Sequence, residues 1–380
     1  MDRNKLQKSV RELATLNKTE APVISCYLDL EQGVGRARAE FGQRLADHLN
    51  SLTPRLHHPV DEAAQRIQEY LRIGDLARAK SAAMFSRGGE ELYFTSMRFG
   101  APLPNHVSID SMPSIYHLVE LKDTYESFVI LLATSTSARI LEVNLGAVTE
   151  ELWHNRPELR KRVGREWTKA HYQAHRDAQT DRFIREKIRI LEELISKRGH
   201  HHLILAGDPR MTARVRDSLP KHLTERLVDI VPASSNDKIS DVVKATLSSF
   251  VEYEAQDSRA VLDELRVHLH ADGLAVAGWE ACRQALLDGQ GDRLVIGPTV
   301  SPSTAWIDPD SDSISSDRHV LAAALGVTSD SLKAIDIREE LVRLAAASGC
   351  EIEVCEPGEL YDIRDQVGCL LRYRTVHKVS

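Results

Sequence analysis

Short apolar runs alternate with amphipathic helical segments along most of this 380-residue chain. Two of the runs, FVILLA at 128–133 and HLILA at 202–206, lie on either side of a long helical segment. Short apolar runs between polar turns are typical of buried strands. Strands and helices in alternation predict an α/β fold with some parallel pairing. At about 150 residues per domain, the length predicts two or three domains.

Three domains are the expected organisation. Residues 1–122 are predicted to form an α+β domain, since two long helical segments lie between a β-branched strand and a hairpin. Residues 123–271 are predicted to form an α/β domain with a basic arm. Residues 272–380 repeat the strand–helix alternation and are predicted to form a third domain.

Local signals place some turns and helix ends. Gly88 and Gly89 predict the turn of a β-hairpin, and two prolines predict a loop at 53–59. Asp208 precedes a proline and predicts a capped helix start. The stretch 298–317 is rich in Ser, Asp and Pro, so we predict a mobile insertion there.

Composition argues against several classes of protein. The first twenty residues contain no apolar core typical of a signal peptide, and no stretch approaches 18 apolar residues, so neither secretion nor membrane spanning is expected. Five scattered cysteines suit a reducing cytoplasm. A pI near 6.2 argues against a protein that coats nucleic acid over its whole surface, but it allows one basic patch.

Positive charge is concentrated in one segment. The stretch 156–189 holds eleven Lys and Arg against five Asp and Glu, although the whole chain has a net charge of −7. Four apolar residues from Ile184 to Ile195 recur at helical spacing and predict that the distal half packs on a core. The proximal half has only Trp167 and Tyr172 as large apolar groups, so we expect it to project into solvent.

Two interpretations of this basic arm remain open. It is either a solvated helix face, or an arm that neutralises phosphates while an aromatic ring stacks on a base. In the second case the expected RNA-binding residues are Arg160, Lys161, Arg162, Arg165, Trp167, Lys169, Tyr172 and Arg176.

No residue set predicts catalysis, a bound metal or a cofactor. The three histidines at 200–202 predict a polar turn, because adjacent strand residues point to opposite faces. Cys350 and Cys355 lack zinc-site spacing and are predicted to be buried free thiols. The alternating aspartates at 308–312 match a calcium loop poorly, and no phosphate-binding loop or nucleophile elbow occurs.

The order of the motifs resembles a known family. The run HLILAGDP at 202–209 resembles the second domain of archaeo-eukaryotic class 1 release factors and Pelota. The run GLAVAGWEACRQALLDG at 273–289, followed by DRLVI at 292–296, resembles the opening of their third domain. The chain is most similar to the bacterial release-factor-like proteins, which include the hibernation factor Balon. The resemblance implies a third domain built as an α/β/α sandwich related to kink-turn-binding ribosomal proteins.

Family membership implies a tRNA-shaped protein that enters the ribosomal A site. The catalytic Gly-Gly-Gln tripeptide of release factors would fall within 160–167, where only Gly164 remains. The Asn-Ile-Lys-Ser motif of stop-codon reading is replaced by the sequence at 54–59. The resemblance therefore implies a non-catalytic factor that occupies the A site in ribosome hibernation or rescue. A translational GTPase is the implied protein partner, and neither DNA nor a membrane is expected.

Two alternatives stay open. A divergent peptidyl-tRNA hydrolase could use His171 or His175 as a base. An RNA- or protein-binding module unrelated to the A site would instead use the acidic remainder of the chain to meet a partner.

Overall fold

The computed structural model describes residues 3–50, 52–77, 79–134, 137–155, 169–234 and 236–374. The chain divides into two compact units. One unit combines Arg3–Thr124 with Glu254–Ser380, and the other is Tyr125–Tyr253. The division into three domains at 122 and 271 stays a prediction.

The amino-terminal part of the first unit is a four-stranded antiparallel sheet, in the order β3-β2-β1-β4. Apolar residues of β1 and β2 face α2 and α3 and form its core, which confirms the predicted α+β class. The elements are α1 (Arg3–Ala14), β1 (Val23–Asp29), α2 (Val34–Leu49), α3 (Pro54–Ile73), β2 (Ser81–Arg87), β3 (Tyr93–Phe99), β4 (His106–Asp110) and α4 (Tyr116–Thr124).

The predicted loop at 53–59 is wrong, because α3 begins at Pro54 and runs through Pro59. Pro54 occupies the first helical turn, where its missing N–H costs no hydrogen bond. Pro59 removes one backbone hydrogen bond from the helix, and burial of the apolar face of α3 more than offsets that loss of stability. The predicted hairpin is confirmed, since β2 and β3 pair across Gly88 and Gly89.

The second unit is a five-stranded mixed sheet in the order β7-β6-β5-β8-β9. Strands β5, β8 and β9 are parallel, as predicted, and β5, β6 and β7 are antiparallel. One face packs on α5 and α6, and the other packs on α8. Its elements are β5 (Phe128–Ala133), β6 (Ser137–Asn144), β7 (Ala147–Asn155), α5 (Lys169–Arg198), β8 (His202–Gly207), α6 (Pro209–Ser218), α7 (Lys221–Thr224), β9 (Leu227–Pro232) and the first half of α8 (Ile239–His270), whose residues from Glu254 onwards belong to the first unit.

The carboxy-terminal part of the first unit contains a four-stranded sheet, β10-β16-β11-β15, and a three-stranded sheet, β13-β12-β14. Apolar residues near the end of α8 pack on one face of the larger sheet, and α9 and α11 pack on the other, which confirms the α/β/α sandwich. The elements are β10 (Ala275–Ala277), α9 (Trp279–Leu287), β11 (Gly291–Ile296), β12 (Thr304–Ile307), β13 (Ile314–Ser315), α10 (Arg318–Leu325), β14 (Lys333–Asp336), α11 (Ile337–Ser348), β15 (Glu351–Val354) and β16 (Val367–Leu371), with short 3-10 helices at Ser329–Ser331 and Arg364–Gln366.

The stretch 298–317, predicted to be a mobile insertion, instead contains β12 and β13. Strand β12 pairs with β14, which lies well outside the stretch, so the local sequence pattern could not reveal it. Two of its aspartates bind protein groups: Asp308 accepts hydrogen bonds from Ser311, and Asp312 pairs with Arg283 at 3.0 Å.

All five cysteines are buried and unbridged, as predicted for Cys350 and Cys355.

Within the described ranges, none of the helices combines the length and the apolar composition needed to cross a bilayer.

Glu339, in the first turn of α11, caps the start of α4. Its Oε2 accepts hydrogen bonds from the backbone N–H groups of Ile115 at 2.8 Å and Tyr116 at 3.1 Å, and its Oε1 accepts one from the Ser114 hydroxyl. The Arg338 guanidinium lies over the Tyr116 ring, 3.9 Å from its centroid. These contacts join the amino-terminal and carboxy-terminal parts of the first unit.

Two carboxyl groups of the first unit lie close together in a buried setting. The Oδ2 atom of Asp123 accepts a hydrogen bond from the backbone N–H of Val354 at 2.8 Å. Burial and the nearby charge of Glu353 raise the pKa of Asp123 to about 8. Burial and the charge of Asp123 raise the pKa of Glu254 to about 8, although Arg3 opposes both shifts.

The free energy of unfolding should therefore fall as pH rises from about 4 to about 8. In that window the unfolded chain has lost the protons that Asp123 and Glu254 keep when folded. Asp123→Asn should flatten the slope by up to about 1.4 kcal/mol per pH unit, measured by urea denaturation followed by circular dichroism. The exposed Asp310→Asn is the control, and an equal slope in both variants would contradict the assignment.

Candidate nucleic-acid interface

Helix α5 has one buried face and one exposed face. Phe183, Ile184, Ile188, Leu191 and Ile195 are buried against the sheet of the second unit. This confirms the apolar stripe that the sequence predicts in the distal half of the basic segment. Because this face is fixed on the core, the opposite face of the helix must meet solvent.

Three arginines form a line on the exposed face. Arg182, Arg185 and Arg189 are all exposed. Their spacing of three and then four residues places them on one side of the helix. We call this set the α5 arginine row. Among the described residues, no carboxylate oxygen lies within 4.0 Å of its guanidinium nitrogens.

The acidic residues of α5 pair with side chains outside the α5 arginine row. Arg214 of α6 contacts Asp177 at 3.1 Å and Asp181 at 2.7 Å, and these hydrogen bonds, the one to Asp181 foremost, raise the pKa of Arg214. The remaining acids of the helix form the pairs Glu186–Lys187 at 2.9 Å, Glu192–His222 at 3.2 Å and Glu193–Lys197 at 3.7 Å. The positive charge of the row is therefore not cancelled by its own helix.

The predicted RNA-binding residues are only partly within the described chain. Lys169, Tyr172 and Arg176 lie in the first turns of α5, where the backbone alone is described. The other five, Arg160, Lys161, Arg162, Arg165 and Trp167, lie outside the described residues. Their role stays a prediction. The same holds for the bases of the hydrolase alternative, His171 and His175, whose side chains are not described.

The α5 arginine row was not among the predicted site residues. The signal for it is present in the sequence, because its spacing is the complement of the apolar stripe. The sequence does not indicate which acids of the segment are taken up by Arg214, since that depends on how α6 packs beside α5.

Neither the Gly88–Gly89 pair nor the Gly-Gln-Gly stretch at 289–291 is a displaced catalytic loop. A side chain at Gly88 would lie 2.1 Å from the carbonyl oxygen of Pro59, and the backbone N–H of Gly89 donates to Glu62 at 2.8 Å. Gly289 has φ +68° and turns the chain from α9 into β11. Both are structural turns, which confirms the turn that the sequence predicts at Gly88 and Gly89.

The predicted polar turn at 200–202 is only partly correct. His200 is buried, and its Nε2 atom lies 2.9 Å from Oε1 of Glu142, a residue of β6 that also binds Arg198. Burial lowers the pKa of His200. The Asn144 amide donates to the same Oε1 atom at 3.1 Å. This network fastens the end of α5 to the sheet.

The Arg214–Asp181 pair should have a measurable coupling energy. In a double-mutant cycle with Arg214→Gln and Asp181→Asn, we expect about 0.5–1 kcal/mol, because both side chains are half-exposed. Urea denaturation of the four proteins measures it. A cycle on Arg216 and Asp217, which are adjacent and exposed, is the control and should give about zero; equal couplings would refute the bridge.

Residues 113–250 match the model of a protein family described as "Bacterial archaeo-eukaryotic release factor family 10". No curated protein matches the chain.

Several solved structures with low sequence identity to this chain also match it. An archaeal translation termination factor, aRF1, is 15% identical over 98% of this chain and 99% of its own, with a TM-score of 0.28. Dom34 of S. cerevisiae, described as a translation termination-like factor that acts in RNA quality control and interacts with Hbs1, is 13% identical over 78% and 81%, with a TM-score of 0.40. Archaeoglobus fulgidus Pelota is 14% identical over 78% and 80%, with a TM-score of 0.35.

Proposed function

We propose that this chain, which belongs to the bacterial archaeo-eukaryotic release-factor-like family, is a ribosome-binding translation factor that releases no peptide. The match over residues 113–250 confirms the family resemblance seen in the sequence motifs. Its role would be to occupy the A site of ribosomes in hibernation or rescue. A translational GTPase is the protein partner that the family resemblance implies.

The observation that carries the proposal is the unbalanced charge of the basic segment. Two of its described acids, Asp177 and Asp181, are held by Arg214, which lies outside the segment, whereas Glu186 pairs with Lys187 inside it. The excess of arginine and lysine at 156–189 therefore lacks two of its own counter-charges. Ribosomal RNA is a polyanion, and Arg and Lys that neutralise phosphates supply the main affinity of most RNA-binding proteins.

Residue chemistry supports a role without catalysis. Hydrolysis in release factors needs glycines that let the backbone approach the ester closely, and the position of their Gly-Gly-Gln carries Gly164 followed by Arg165. The only Gly-Gly pair in the sequence, Gly88 and Gly89, forms a hairpin turn. The chain thus has a basic segment suited to binding RNA and lacks the Gly-Gly-Gln tripeptide that positions water in release factors.

Vacant ribosomes should co-sediment with the protein, and raising the salt concentration should release it, because bound phosphates regain their counterions. Charge reversal by Lys161→Glu with Arg162→Glu should abolish co-sedimentation. Arg216→Glu with Lys221→Glu is the matched control, since both residues already pair with acids of their own. A wild-type protein that stays in the free fraction even at low salt would refute ribosome binding.

Ribosomes loaded with labelled peptidyl-tRNA should release no peptide above background when the protein is added. The control is His171→Ala with His175→Ala, which should give the same background. Release by the wild type that is lost in this variant would instead establish the hydrolase alternative.

A further inference from the structure

We propose that the α5 arginine row, at the distal end of the basic segment 156–189, is an RNA-binding site in addition to the predicted residues 160–176, and that it binds the phosphate backbone of double-helical RNA. The inference rests on the proposed function, because these three arginines belong to the basic segment from which that function is argued. The row is formed by Arg182, Arg185 and Arg189, and all three lie within the described part of the chain.

The row is held in place before any ligand arrives. At 1.5 Å per residue, seven residues separate the first and last arginine by about 10 Å along the helix axis. The helix cannot rotate, because Ile184, Ile188 and Leu191 are buried on its opposite side. A rigid support lowers the entropic cost of binding, since only side chains must be ordered.

The electrostatics of α5 favour an anionic ligand at this row. All five acids of the helix are paired, and none of them pairs with an arginine of the row. The main-chain contact of the row, from Arg185 Nε to the carbonyl oxygen of Asp181 at 3.3 Å, leaves the terminal nitrogens of Arg185 available. A guanidinium fork binds two phosphate oxygens at once, which an ammonium group cannot do.

The surroundings of the row favour backbone contacts over base contacts. The exposed residues beside it on the described helix are Ala178, Glu186, Glu193 and Ser196, and none of them is aromatic. Binding of single-stranded RNA usually depends on aromatic side chains that stack on bases. In double-helical RNA the major groove is too deep and narrow for side chains to read the bases, so proteins contact mostly phosphates and 2′-hydroxyls. A line of arginines without a stacking ring therefore fits a duplex.

The test measures binding of the full-length protein to a fluorescent RNA duplex of about 20 base pairs by anisotropy, at roughly 50 to 200 mM salt. The variant is Arg182→Gln with Arg185→Gln and Arg189→Gln. We expect its affinity to fall about tenfold or more, and the slope of log affinity against log salt to shrink by about 2 to 3, close to one per lost phosphate contact.

The matched control removes three other positive charges of the same unit: Lys197→Gln with Arg216→Gln and Lys221→Gln. Each of these residues already pairs with a carboxylate, so the control changes the net charge equally but leaves the row intact. We expect it to keep the wild-type salt slope. Equal losses in both variants, no loss in the row variant, or no binding of the duplex by the wild type would each overturn the inference.

Failure of this inference is distinguishable from failure of the proposed function. If the wild type co-sediments with ribosomes but the row variant binds the duplex normally, only the row is refuted. If the wild type binds the duplex through the row but does not co-sediment with ribosomes, only ribosome binding is refuted.

Discussion

The burial of one face of α5 on the sheet of Tyr125–Tyr253 determines most of what this chain can offer to a ligand. Phe183, Ile184 and Leu191 fix the rotation of the helix about its own axis. That rotation decides which arginines meet solvent. Apolar packing thus places the charges, although it makes no contact with the ligand.

The regular elements could be predicted wherever their signal is local. Strands β5 and β8 are short apolar runs, and Asp208 caps α6 as its side-chain chemistry requires. Pairing between distant segments leaves no such signal. Strand β12 sits in a stretch of Ser, Asp and Pro and depends on β14, so it looked like a mobile loop. Helix α3 contains two prolines, whose local breaking tendency is outweighed by the apolar face that the helix buries.

The sequence predicts where the excess of positive charge lies along the chain, but it does not predict which of those charges remain unpaired on the folded surface. Counting residues locates the basic segment at 156–189, and the spacing of its apolar residues gives the buried face of α5. The charge that remains after internal pairing depends on tertiary contacts. Arg214 is more than thirty residues away from Asp177 and Asp181, and only the packing of α6 beside α5 lets it pair with both. For the same reason His200, in a polar-looking run, is buried against Glu142.

The capping of α4 by Glu339 bears on how this gene can be rearranged. Because Glu339 closes the start of α4 from more than two hundred residues away, the two ends of the chain share one folded body. Residues 125–253 are then an insertion within that body, entered and left at neighbouring carboxylates, Asp123 and Glu254. A recombination that exchanged residues 125–253 would keep the amino-terminal and carboxy-terminal parts of the first unit together. One that replaced either of these parts alone would remove one side of the contacts between them.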